Sequence, residues 1–369
     1  MKPANLFDPP GHSDDASSFR AGLDEIRSSS DVDVGDYFDG SDVLPKRAKG
    51  RIVDIVGDSG RSASDAVDAR DALRNIDGVS DREISTFVED GSTGSVKFLS
   101  EVDQGTVDNV FSFDVDGGAS DLAVRARAGI AQAYSREFLS TGSWANDIYP
   151  DAADAEDVAN KIADDINVLN GKGNVEGLAR TLSRGDDGGS GAYLERLPDP
   201  DASDSDGYDP SSPVKGVALE LRTARQAADE LDSDESLRMS AAPDVDFDED
   251  LSETQIEDVA EKVYGERESA VVSSDLTTNP EFDAVQEITD SDGNTRRIYL
   301  ESKNTENAPP RSKVRGQAAR FFASQIADGA DMENLRVTFV TRSDSQAASL
   351  NDILDAEWFT ARASSTGSG

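Results

Sequence analysis

The chain of 369 residues has no cysteine and one histidine, His12. The first absence removes disulfides, thiolate zinc sites and cysteine nucleophiles. The second argues against histidine as a general base, because His12 sits in the Pro- and Gly-rich run Asp8-Pro9-Pro10-Gly11. Ser-His-Asp hydrolases, His-Asn-His nucleases and histidine zinc sites are disfavoured on that ground. No apolar run approaches the length of about 20 residues that spans a bilayer, and Met1 to Arg20 lacks the hydrophobic region of a signal peptide. The expectation is a chain without a membrane partner, made in the cytoplasm, with export lacking a cleavable signal and virion association left open. Lysine is scarce, 10 residues against 26 arginines. Carboxylate and lysine chemistry is what remains.

Acid is what the chain has in excess: 75 Asp and Glu against 36 Lys and Arg, a net charge of −39. Such a balance, with ordered apolar periodicity, resembles that of haloarchaeal cytoplasmic proteins adapted to molar salt. Strong acidity also accompanies disorder, and each reading can hold in a different segment. At about 1 M salt the Debye length is only about 3 Å, so local charge outweighs the total. From Asn294 to Arg320 seven basic residues (Arg296, Arg297, Lys303, Arg311, Lys313, Arg315 and Arg320) face two acidic ones, Glu301 and Glu306. That local excess suits a phosphate-bearing partner.

The same region holds the most informative pattern. Two strand-like runs, Glu281-Phe282-Asp283-Ala284-Val285 and Ile298-Tyr299-Leu300-Glu301-Ser302-Lys303, flank Asp290-Ser291-Asp292-Gly293, which is a hairpin signal. Alternation along each strand puts Glu281, Asp283 and Val285 on one face and Tyr299, Glu301 and Lys303 on one face. If the register joins those faces, carboxylates and an ammonium converge. Divalent cations such as Mg²⁺ are held by one or two carboxylates with water and phosphate oxygens, and a nearby lysine can orient or activate the attacking water.

These residues resemble the PD-(D/E)XK, restriction-endonuclease-like nucleases, whose signature is an acidic residue on one hairpin strand and Glu-x-Lys on the next. Asp283 and Glu301-Ser302-Lys303 match it, and Glu281-Phe282-Asp283 fits the Glu-x-Asp form of its first half. The order of elements agrees over about residues 210 to 360. Val214 to Leu231 has Val217, Leu221, Ala224 and Ala228 at helical spacing, with Glu220 on or beside the buried stripe. Glu220 then reads either as the family's helical metal-site glutamate or as a flank residue, paired with Arg222 or Arg225 or reaching solvent. A second helix runs from Lys313 to Ala327, a strand over Leu335 to Val340, and a helix from Ala347 to Leu354. The resemblance implies an α/β domain with a central mixed sheet flanked by helices, and a Mg²⁺-dependent nuclease, with Mn²⁺ as substitute. Asp283, Glu301 and Lys303 would be catalytic; Glu220, Asp283 and Glu301 metal-binding; Glu281, Ser302 and Gln317 supporting; Arg311, Lys313, Arg315 and Arg320 substrate-binding. The substrate would be nucleic acid, DNA rather than RNA.

The rest is read coarsely. Residues 1–50 form a flexible acidic arm, 51–184 a mainly α domain of unknown fold, 185–213 a linker, 214–360 the nuclease-like domain and 361–369 a tail. Helices are expected over Ala63 to Ile76, Asp121 to Leu139, Ala155 to Leu169 and Asn174 to Leu182. Helix and strand readings compete at Ile52 to Val56, Ser95 to Leu99 and Val110 to Phe113. Asp232 to Asp250 is an acidic loop able to cover the site, Ser252-Glu253-Thr254-Gln255 opens a helix with a capping box, and Ala270 to Val272 adds a strand. A rival reading is a non-catalytic structural or interaction protein of a virus or mobile element; another is a toxin-type nuclease with an N-terminal delivery region. A protein partner for the N-terminal half and a homodimer are left open.

Overall fold

The computed structural model describes residues 15–29, 33–38, 44–76, 78–112, 121–140, 144–173, 175–183, 194, 197, 211–231, 236–241, 251–265, 282–289, 295–303, 310–327, 329–354 and 356–364. His12, Glu281, the hairpin turn 290–293 and the strand expected at Ala270 to Val272 lie outside them. Of Lys303 the backbone alone is described.

Two compact units make up the chain, Met1–Ser112 with Ala123–Leu139, and Phe113–Leu122 with Ser140–Gly369. The first is helical throughout its described residues: α1 (Asp15–Ser28), α2 (Val34–Tyr37), α3 (Lys46–Ser59), α4 (Ala63–Arg74), α5 (Asp81–Glu101), α6 (Gln104–Ser112) and most of α7 (Asp121–Ser135). The stretch expected as a flexible arm therefore contains two helices, and α1 packs on α3. The contact depends on missing side chains: a Cβ on Gly22 would stand 1.9 Å from the Val53 carbonyl oxygen, and one on Gly57 2.0 Å from that of Ser18. Ile26, Ile52, Val53 and Val56 are buried. The competing readings at 52–56 and 95–99 resolve to helix, in α3 and α5. Ser62 and Ser80 start α4 and α5 with capping boxes completed by Asp65 and Glu83, which satisfy otherwise orphaned N–H groups.

The second unit carries a five-stranded sheet. Its elements are α8 (Trp144–Ile148), α9 (Ala155–Gly171), α10 (Val175–Ser183), α11 (Ser212–Asp229), β1 (Ser236–Ala241), α12 (Glu253–Tyr264), β2 (Phe282–Thr289), β3 (Thr295–Lys303), α13 (Arg311–Ala327), β4 (Val337–Thr341), α14 (Asp344–Ile353) and β5 (Phe359–Ala363). Strand order is β1-β2-β3-β4-β5. The first three strands are antiparallel, and β3, β4 and β5 run parallel, each joined to the next by a helix as parallel neighbours require. The molecule is thus mostly helical with one small mixed sheet, compatible with an α/β class. Two expectations change. β1 and part of β5 fall where an acidic loop and a tail were expected. Helices α8 to α10 belong with the sheet, because α9 packs on α11 and α10 on β1.

Helices cover both faces of the sheet. On one, Gln286 Nε2 donates to the Ala227 carbonyl of α11 at 2.9 Å and Ser302 Oγ to Thr223 Oγ1 at 3.2 Å. A Cβ on Gly177 would stand 2.5 Å from the Met239 carbonyl oxygen, so glycine there lets α10 lie against β1. On the other face, Val285, Tyr299, Val337 and Phe339 join Val259 and Val263 of α12 and Val314, Phe321 and Phe322 of α13 in one apolar core.

Candidate active site

Asp283 and Glu301 sit where this sheet turns from antiparallel to parallel. The β2–β3 register pairs Gln286 with Ile298, Val285 with Tyr299 and Ala284 with Leu300. One further step sets Asp283 against Glu301. By alternation both share the face of Val285 and Tyr299, the side of α12 and α13. The Ser302 N–H donates to Asp283 Oδ2 at 2.5 Å, and Gln317 Nε2, from α13, to Glu301 Oε1 at 3.2 Å. Asp283 is 6% exposed and Glu301 9%. Two carboxylates brought together with so little water are costly unless positive charge meets them. The pairing of the two hairpin faces, expected only if the register allowed, is the register found.

Lys303 continues β3, its backbone paired with Thr341 of β4. Its side chain lies outside what is described. Glu281, Arg296 and Arg297 likewise contribute no described side chain.

Glu220 is buried in α11. That helix covers the face bearing Gln286 and Ser302, the opposite one from Gln317. Among the described residues no group of three or more His, Cys, Asp or Glu is placed to hold a metal ion, so Glu220 is not gathered with Asp283 and Glu301 into one three-carboxylate set. The two remaining carboxylates still fit Mg²⁺, which is bound through one or two carboxylates and keeps several waters. Nor do the arginines beside Glu220 serve it in the manner expected. Arg222 Nη1 and Arg225 Nε turn instead to Asp165 of α9, at 3.5 and 3.9 Å from its Oδ1.

Asp165 is 2% exposed and accepts a hydrogen bond from Tyr149 Oη at 3.1 Å. Burial pushes its carboxyl up to about 6, with Arg222, Tyr149 and Arg225 opposing. Burial, and then Asp165, raises the Tyr149 hydroxyl well above its ordinary value. The sequence reading missed this cluster, for want of any local motif.

The cations of α13 divide. At about 100° per residue, Lys313, Gln317 and Arg320 lie within about 60° of one another along one edge of the buried stripe. Arg311 and Arg315 lie about 40° apart along the other edge. Contacts agree: Gln317 reaches Glu301, whereas Arg315 Cζ lies 5.9 Å from the centre of the Tyr264 ring, at the end of α12. Tyr264 and Thr223 also escaped the sequence reading. Thr223 lies one turn beyond Glu220, which is the signal that could have found it. No family model, no curated protein and no solved structure matches this chain.

Proposed function

We propose that the chain is a metal-dependent nuclease of the PD-(D/E)XK type, hydrolysing phosphodiester bonds in nucleic acid, DNA in preference to RNA. The observation that carries the reading is the side-by-side burial of Asp283 and Glu301 on one face of a hairpin, with Gln317 on Glu301. The order α11, β2, β3, α13, β4 supports it, with β1 and α12 inserted between α11 and β2, since the resemblance implies a helix, a hairpin, a second helix and a strand in that sequence.

Asp283 and Glu301 would hold Mg²⁺ or Mn²⁺. A bound metal supplies Lewis-acid stabilisation of phosphoryl oxygens and a more acidic water. The chain's own residues do the rest. The Ser302 N–H fixes one Asp283 oxygen and the Gln317 amide one Glu301 oxygen, so each carboxylate presents a set orientation; such supporting contacts tune a metal site. Lys303 orients the water and takes part in moving its proton. Lys313 and Arg320, on the Gln317 edge of α13, draw in the phosphate backbone. The proposed ligand set leaves out Glu220, which lies on α11 at the opposite face of the sheet.

The test is cleavage of duplex DNA in molar KCl with Mg²⁺ or Mn²⁺, a medium chosen for a chain of net charge −39. The wild type is expected to cut, and K303A and D283A to be inactive. Equal cutting by all three would assign the activity to a contaminant.

A further inference from the structure

Helix α13 stands apart in this acid-rich chain, with Arg311, Lys313, Arg315 and Arg320 and no Asp or Glu among its 17 residues. Arg311 is exposed, and Arg315 and Tyr264 are half-buried. Neither Arg311 nor Arg315 makes an ion pair among the described residues. The buried Nε of Arg315 has no hydrogen-bond partner there. Two arginines one turn apart repel, and partial burial followed by Arg311 holds the Arg315 guanidinium below its ordinary pKa. Among the described residues no acidic group pairs with these two like charges, an arrangement that suits an anion from outside. The Tyr264 ring lies 5.9 Å from the Arg315 Cζ, within cation–π reach, which lowers the ordering cost of a two-point hydrogen bond to an anion.

We infer that Arg311, Arg315 and Tyr264 form an anion subsite of their own, which takes a phosphate of the nucleic-acid backbone away from Asp283 and Glu301. The choice of nucleic acid as the anion's source rests on the nuclease reading. The subsite and the carboxylates lie on opposite edges of α13, and a helix with its side chains is about 10–12 Å across. That is roughly three steps of 3.4 Å along a duplex, so the subsite would grip the strand beyond the cleaved bond and favour longer substrates.

The experiment is fluorescence anisotropy of a labelled DNA duplex with the full-length chain in EDTA. It is run over the range of KCl in which the circular-dichroism spectrum is constant. Each phosphate contact contributes about 0.9 to the slope of log affinity against log salt. R311Q/R315Q, which removes the grip on one phosphate, is therefore expected to bind more weakly and with a slope shallower by about 0.9. Y264A should lose part of that slope, and Y264F, which keeps the ring, should restore it. A slope for R311Q/R315Q equal to that of wild type overturns the inference. So does an equal loss of binding to polyglutamate, which would make the patch a general polyanion or protein surface. Metal-dependent cleavage is scored separately. A wild type that cuts while R311Q/R315Q binds as it does sinks the subsite alone; a wild type that never cuts, with the slope change present, sinks the nuclease reading alone.

Discussion

Asp165 on α9 and the pair Asp283 and Glu301 on β2 and β3 are all less than a tenth exposed, yet their surroundings differ in kind. Around Asp165 a tyrosine hydroxyl from the turn after α8 and two guanidinium groups from α11 converge. Its carboxyl meets a hydroxyl donor and two cations within a few ångströms, which oppose the cost of burial without cancelling it. The hairpin brings two negative groups to neighbouring positions, and their described contacts include a backbone N–H on Asp283 and an amide on Glu301. A buried acid with local cations ties helices together. Two acids held together concentrate negative potential, as sites that must bind a cation do. The same unit therefore uses buried carboxylates for two purposes, and stability and cleavage should separate them.

The largest separation is expected from E301Q and D283N. Each keeps its described hydrogen bond while removing a charge, so cleavage should fall by at least about 10²–10³-fold. The thermal midpoint should hold or rise, because like-charge repulsion is relieved. Undiminished cleavage by either variant would erase the distinction.

Asp165 gives the next effect, in stability. Its folded pKa is raised from 3.8 to about 6, so the folded state binds the proton more tightly. Its contribution is fully present below 3.8 and is lost as pH rises through about 6. A shift of about two units corresponds to about 3 kcal/mol. Urea midpoints at pH 4 and pH 7 should show the wild type losing up to about that much relative to D165N, while D165N cleaves DNA at the wild-type rate. A parallel pH dependence in both proteins would remove Asp165 from the account.

Gly177 tests the face opposite the carboxylate pair. G177A places a methyl group against the Met239 backbone and should cost about 1–3 kcal/mol by overpacking, read as a lower urea midpoint with cleavage kept. The smallest effect is expected from Q317A. Loss of the amide on Glu301 should slow cleavage by about tenfold and leave the midpoint within error; a rate equal to wild type would leave Gln317 an ordinary helix residue.

Where the sequence spoke clearly, periodicity and turn chemistry were local. Val217, Leu221, Ala224 and Ala228 announced α11, which runs from Ser212 to Asp229. Ser252 and Gln255 announced the capping box of α12. The apolar runs ending at Val285 and beginning at Ile298 announced the hairpin. β1 was overlooked because its apolar pair, Leu237 and Met239, alternates over only a few residues inside acidic sequence; its identity comes from pairing with β2, which no local rule contains. α1 was overlooked for a similar reason, its packing being decided by Gly22 against α3. Of the site, the neighbours on β2 and β3 could be read from alternation and register. Which helix faces which side of the sheet could not, and that determines that Gln317 meets Glu301.

The crossing of α1 and α3 bears on handling this chain. Trimming the first 28 residues as a dispensable leader would strip Val53 of its cover and open a greasy seam along α3. Shortened versions prepared in that way should clump at concentrations where the intact chain stays dispersed.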